Sequence, residues 1–219
     1  FAREHGPAVE LLVADLLGGG DGFPAQRVRN PWLGHSHASG FAPFADGNNQ
    51  ESSSEAVHAW WSVMRWGLAT GNQDLADWGL AAFSMETVSA RSYWLGEDLA
   101  RVEGYDHEVA GIVFDGKIDF ATWFDPDPAK VVGIQLLPFS FGSLYRADPG
   151  AAERRWTESS AGEARPAEWT DLAVMDLAVA DPDVTQDRAR HVLEHVGLGA
   201  ELLDRSAGAL SGGEAQRMC

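Results

Sequence analysis

The chain is poor in sulfur and in positive charge. Its 219 residues include one cysteine, Cys219, so no intrachain disulfide framework can form and the fold must rest on packing. Lys and Arg number 16 against 33 Asp and Glu, a formal charge of −17. Phosphate backbones and anionic headgroups are met by basic surfaces, so neither nucleic acid nor a membrane is expected as a partner. There is no 18-residue apolar run, hence no expected membrane span. The opening, Phe1-Ala2-Arg3-Glu4-His5, has neither an initiator Met nor a signal peptide and reads as the interior of a longer chain. What is present is 45% hydrophobic content, enough for a real core, and nine Trp.

Punctuation divides the chain. Apolar residues at 8, 9, 11, 12, 13, 16 and 17 keep a helical spacing, with Pro7 in the first turn and Gly18-Gly19-Gly20 as terminator. Residues 21 to 50, rich in Gly, Asn, Pro and His without a period, predict a long loop, where a site is expected. A helix is predicted from Ser53 to about Ala69 and another from Asp74 to Leu95; with Gly71-Asn72 between them they form an αα-hairpin. Residues 109 to 124 read as two short strands around Asp115-Gly116 in a type I′ turn. Helix returns from Trp169 to Ala180 and stops at Asp181-Pro182-Asp183. The acidity then ends: residues 1 to 184 hold 28 acidic and 12 basic side chains, 185 to 219 only 5 and 4.

The densest chemistry lies in Asp46-Gly47-Asn48-Asn49-Gln50-Glu51-Ser52-Ser53-Ser54-Glu55, ahead of a helix bearing Trp60-Trp61 and Trp66. Glu51 and Glu55, four residues apart, fall on one helix face with Cβ atoms roughly 6 Å apart. Paired carboxylates, amides, hydroxyls and flat aromatic rings suit carbohydrate chemistry. The competing reading is structural: Ser52-x-x-Glu55 fits a capping box, in which both side chains satisfy helix-start amides. His35 and His37 alternate as metal ligands can, but no third ligand stands near, so hydrogen bonding to sugar hydroxyls or to a carboxylate is expected and no metal or cofactor. His107, between Asp106 and Glu108, reads as a solvated charged loop. Gly111 to Lys117 matches G-x-x-x-x-G-K, yet Ile118 follows where a P-loop needs Ser or Thr, so no nucleotide is expected.

These residues resemble glycoside hydrolase family 81, the endo-β-1,3-glucanases. The resemblance rests on Asn30 to Gly40, on Asp46 to Ala56, and on Gly67 to Asn72, Tyr93-Trp94, Asp115 to Phe124 and Gly133 to Pro138, in family order over residues 1 to about 183. It implies a mainly α fold, an incomplete (α/α)6 barrel with a small β-hairpin insertion, and inverting hydrolysis of β-1,3-glucan. Glu55 is implied as the general base with Glu51 assisting, and His35, His37, Asp46, Asn49, Gln50 and Trp61 as substrate-binding residues. His37 stands where the family usually has Trp, and Asn48 where it usually has Lys. The family's general acid lies farther upstream than Phe1, and the spacing of Asp46, Asp115 and Asp119 favours none of them as a substitute. An extracellular or secreted location is also implied.

The tail differs. Arg188 to Arg205, leading into Leu210-Ser211-Gly212-Gly213-Glu214-Ala215-Gln216-Arg217, resembles the signature region of ABC-transporter ATPases. Residues 1–183 are therefore expected as a partial catalytic domain, and 184–219 as a short, helical ABC-ATPase-like fragment, joined by fusion or by an assembly artefact. Lacking a P-loop, that tail has no nucleotide to complete.

Overall fold

The computed structural model describes residues 1–18, 25–26, 28–38, 44–96, 98–160 and 168–181. The ABC-like tail and the whole of the 184–219 expectation lie outside them. The chain is mainly helical with small antiparallel sheets: α1 (Ala2–Leu17), β1 (Arg29–Asn30), β2 (His35–Ser36), β3 (Asn49–Gln50), α2 (Ser53–Thr70), α3 (Gln73–Ser89), β4 (Ile112–Phe114), β5 (Ile118–Asp119), α4 (Pro128–Gly133), α5 (Pro149–Ser160) and α6 (Thr170–Ala180). A π-helical turn, Ala90–Trp94, extends α3, and short 3-10 turns cover Leu99–Arg101 and Phe141–Arg146.

Helices α2 and α3 form the expected αα-hairpin. Gly71 ends α2 in a left-handed conformation (φ 74°), and the Asn72 side chain caps α3 by accepting from the Leu75 amide at 3.1 Å. The two helices approach at glycines: a Cβ on Gly79 would lie 2.4 Å from the Met64 nitrogen, and one on Gly67 2.4 Å from the Ala76 nitrogen. That approach lets α1 join the pair through a core of Val13, Trp60, Val63, Trp66, Leu75 and Ala82. A second core gathers Trp94, Leu99, Val109, Val131, Val132, Leu136 and Ala173 under α4 and α6. Behind it Asp176 is clamped between Arg146 (2.8 Å) and Arg155 (2.7 Å), all three buried.

Two expectations change. Helix α1 begins at Ala2 rather than Pro7, so Pro7 lies inside it, where it cannot donate the helical bond to the Arg3 carbonyl. The 109–124 hairpin forms, with Val113 opposite Ile118, but neither Asp115 nor Gly116 has positive φ, so the turn is not type I′. The cause is a third strand: β3 pairs with β4, and the loop before it covers the turn, where the Asp115 and Gly116 amides donate to the Asn48 and Asp46 carbonyls.

Because the Gly79 contact is with backbone, which cannot swing aside, Gly79→Ala is expected to destabilise by about 1–3 kcal/mol. A urea titration of the purified variant measures it; an unchanged midpoint would show that the hairpin can open without cost.

Candidate active site

The first turn of α2 borders a cleft of about 380 Å³ lined by Ser36, His37, Gln50, Glu51, Glu55 and Trp60, among others. Three serines decide where α2 begins, and they do so by turning inward. Ser52 is the N-cap residue but makes no side-chain cap bond; its hydroxyl donates instead to the Ile134 carbonyl at 3.0 Å. Ser53 donates to Gln135 Oε1 from its amide (3.2 Å) and its hydroxyl (2.8 Å). Ser54 donates to the carbonyls of Ile134, at 3.1 Å, and Leu137. The hydroxyls that looked available to a sugar are therefore interior fasteners. The Ser52–Glu55 capping box is not formed, and Glu55 is exposed at the cleft with no structural duty.

Glu51 is half-buried on the same cleft, its Oε1 accepting the Trp123 amide at 2.8 Å. Gln50 is a brace: its Nε2 donates to the Ser36 carbonyl (3.2 Å) and its Oε1 accepts the Ser52 amide (3.1 Å). His37 reaches the cleft beside the ring of His35, 5.1 Å away, and its Nδ1 has no partner among the described residues. The remaining expected residues lie outside this lining. His35 is buried edge-on against Tyr93 and Trp94 and faces a second cleft of about 600 Å³. Asp46 and Asp119 share the Lys117 ammonium, at 3.2 and 2.9 Å. Asn49 is buried in β3, its carbonyl accepting the Ala38 amide. Trp61 packs on Phe83 and on the backbone at Gly142.

Sequence reasoning missed three contributors. Trp123, 55% exposed and with its ring stacked on Phe44 at 5.2 Å, donates its backbone amide to Glu51. Trp60 lines the cleft where Trp61 does not. Glu86 lies buried behind Ser36; its signal was a carboxylate in register with Leu75, Gly79 and Ala82 on the core face of α3. His107 is exposed, as expected for a charged loop, and its ring stacks on Phe120 at 3.7 Å and contacts Glu158 at 2.7 Å. The G-x-x-x-x-G-K stretch runs strand, turn, strand, without a P-loop's helix. Among the described residues no group of three or more His, Cys, Asp or Glu is placed to hold a metal ion, and no helix is long and apolar enough to cross a membrane.

Burial sets the site's electrostatics. Desolvation pushes His35, His37 and His58 below the ordinary histidine value; for His37 the nearby Asp115 charge opposes it. Desolvation raises Glu86 despite its hydrogen bonds from Ser36 and Trp60.

A mainly helical scaffold brings Glu51 and Glu55 to one cleft, and the relatives of the chain are glycoside hydrolases. A profile of the Glycosyl hydrolase family 81 C-terminal domain matches residues 1–196. The chain belongs to glycosyl hydrolase family 81. It is 38% identical over 185 residues to the glucan endo-1,3-beta-D-glucosidase of Acetivibrio thermocellus, covering 81% of this chain and 24% of that protein. Identity is 39% over 165 residues to the enzyme of the same name from Thermobifida fusca, covering 74% and 22%. It is 30% over 187 residues to glucan endo-1,3-beta-D-glucosidase 2 of Saccharomyces cerevisiae, covering 82% and 24%. The solved structure of the family 81 glycoside hydrolase CtLam81A from Clostridium thermocellum, in a mutant form, superposes with a TM-score of 0.75 at 36% identity over 82% of this chain and 26% of that one. The chain thus spans about a quarter of the length of these relatives. The family match reaches past residue 183 into the tail.

Two outcomes follow from this geometry. Without a cap bond to lose, Glu55→Gln should change unfolding free energy by less than about 0.5 kcal/mol, whereas a working cap would cost about 1 kcal/mol; chemical denaturation separates the two. The three histidines are neutral in the fold, while the unfolded chain binds protons near 6.5. The unfolded state therefore gains protons as pH falls through that value, and stability present above it is progressively lost below it. Glu86, raised in the fold, acts oppositely with one proton against three. Urea midpoints should fall on acidification; midpoints that rise would contradict the assignment.

Proposed function

We propose that this chain is part of an endo-β-1,3-glucanase that hydrolyses β-1,3-glucan with inversion, in polysaccharide catabolism. The observation that carries the reading is the pair Glu51 and Glu55 on one cleft, with the capping box unformed and Glu55 left exposed. The names of the relatives supply the substrate class. In this reading the helices form part of an (α/α)6 barrel and the enzyme acts outside the cell. A net charge of −17 suits a neutral polysaccharide and disfavours nucleic acid, nucleotide or an anionic membrane.

Inverting hydrolysis needs a base to take a proton from water on one face of the sugar and an acid to protonate the departing oxygen on the other. Glu55 is the base, its carboxylate exposed to the cleft. Glu51, with one oxygen held by the Trp123 amide, orients the water or a sugar hydroxyl. Gln50 and His37 offer polar contacts on the same wall, Trp60 backs it as a buried side chain, and Trp123, 55% exposed, presents a ring next to the backbone contact with Glu51. The acid comes from elsewhere in the enzyme, because Asp46 and Asp119 are bound to Lys117, Asp115 accepts the Asn48 amide, and none of the three lines the cleft. His35, Asp46, Asn49 and Trp61 then serve substrate binding through the elements they hold in place.

The test is laminarin hydrolysis by the full-length protein carrying this domain, with the anomeric product followed by NMR. Glu55→Gln is expected to lower kcat by about 10²–10⁴, the usual worth of general acid–base help. Loss in Glu51→Gln with turnover kept in Glu55→Gln would exchange the two roles. Full activity in both, or glucan binding without turnover in the parent, would sink the reading.

A further inference from the structure

Behind the cleft lies one acid that the proposed reaction does not use. Glu86 on α3 is 1% exposed, yet three donors converge on its two oxygens. Oε1 accepts the Ser36 amide at 2.8 Å, and Oε2 accepts the Ser36 hydroxyl at 2.9 Å and the Trp60 indole N–H at 3.0 Å. That indole nitrogen is also 3.0 Å from the Ser36 hydroxyl oxygen, closing a triangle. The Ser36 carbonyl in turn accepts Gln50 Nε2, and Gln50 accepts the amide of Ser52, the residue next to Glu51. One hydrogen-bonded path therefore runs from α3 to the backbone beside Glu51. A second runs through Trp60 into the helix that carries Glu55.

We propose that Glu86 is a positioning residue of the site, fixing the Ser36–His37 wall and Trp60 against the Glu51 and Glu55 pair. The inference rests on the glucanase reading above. An acidic side chain suits the position because three donors meet on its two oxygens. A glutamine keeps the shape but turns an NH₂ group toward at least one of those donors, so Ser36, Trp60 or both must move. Displacements of about 1 Å in a catalytic arrangement can cost on the order of 10²-fold in rate.

The experiment compares the full-length protein carrying this domain with its Glu86→Gln and Ser36→Ala variants on laminarin, at a temperature where circular dichroism shows each one folded. Glu86→Gln is expected to lower kcat by about 10-fold to 10²-fold with KM within about twofold, since the groups that hold the sugar stay while the reacting geometry shifts. A merely structural role would lower the melting temperature and leave kcat of the folded enzyme unchanged, and that result overturns the proposal. If Glu86→Gln does not fold, Ser36→Ala decides: it removes the hydroxyl corner of the Ser36–Trp60–Glu86 triangle and so loosens the wall that carries His37, while the amide bond to Oε1 remains, so kcat should fall at constant KM, and a parental kcat overturns the proposal. A parent without turnover removes the glucanase reading itself. Amide exchange then reads the positioning role, with faster exchange at Ser36 and Ser52 expected in Glu86→Gln and unchanged exchange overturning it.

Discussion

One buried carboxamide joins the parts of this structure that matter to the site. The side chain of Gln135 is fully buried; its oxygen accepts from the Ser53 amide and hydroxyl, and its nitrogen donates to the carbonyls of Glu51 and Gly111. The start of α2, the backbone of Glu51 and the base of the β4–β5 hairpin are thereby tied to the segment after α4. A buried amide with every bond made costs little, while one left half-satisfied loses the desolvation of each orphaned group. The arrangement is therefore all or nothing, which suits a place where two carboxylates must be held at one separation.

The same logic repeats on the other wall. Glycine at positions 67 and 79 lets α2 and α3 approach at backbone distance. That approach brings Glu86 of α3 within reach of Trp60 of α2 and of Ser36. Close packing and buried polar bonding are thus one device: without the glycines the helices would separate, and the carboxylate would lose its donors.

What could be read from the sequence follows from which signals are periodic. Helices α2, α3 and α6 were legible because their apolar residues recur at helical spacing, and the hairpin because Asp-Gly interrupts an alternating run. Helix α5 was not, since the face it buries includes Arg155, paired with Asp176, and a count of apolar residues passes over an ionic core. Strands β1 to β3 are two residues each, too short to show a period. At the site the two carboxylates were legible as a string, but not by the i, i+4 helix-face rule: α2 begins at Ser53, so Glu51 precedes the helix and reaches the cleft from the segment before it. The choice between Trp60 and Trp61 was not, because neighbouring helix positions point about 100° apart and only packing says which one meets the cleft.

The serines show why a motif can be read correctly as a string and wrongly atom by atom. Between Glu51 and Glu55, three hydroxyl residues look like additional sugar contacts, or like a cap. In the fold they are spent on Ile134, Gln135 and Leu137, and what they supply is the absence of a cap. The Ser53 amide is met by Gln135 instead of by a side chain of the helix itself, and the acidic side chain in that first turn is Glu55. Turning the serines inward therefore anchors the helix and leaves Glu55 without a capping duty.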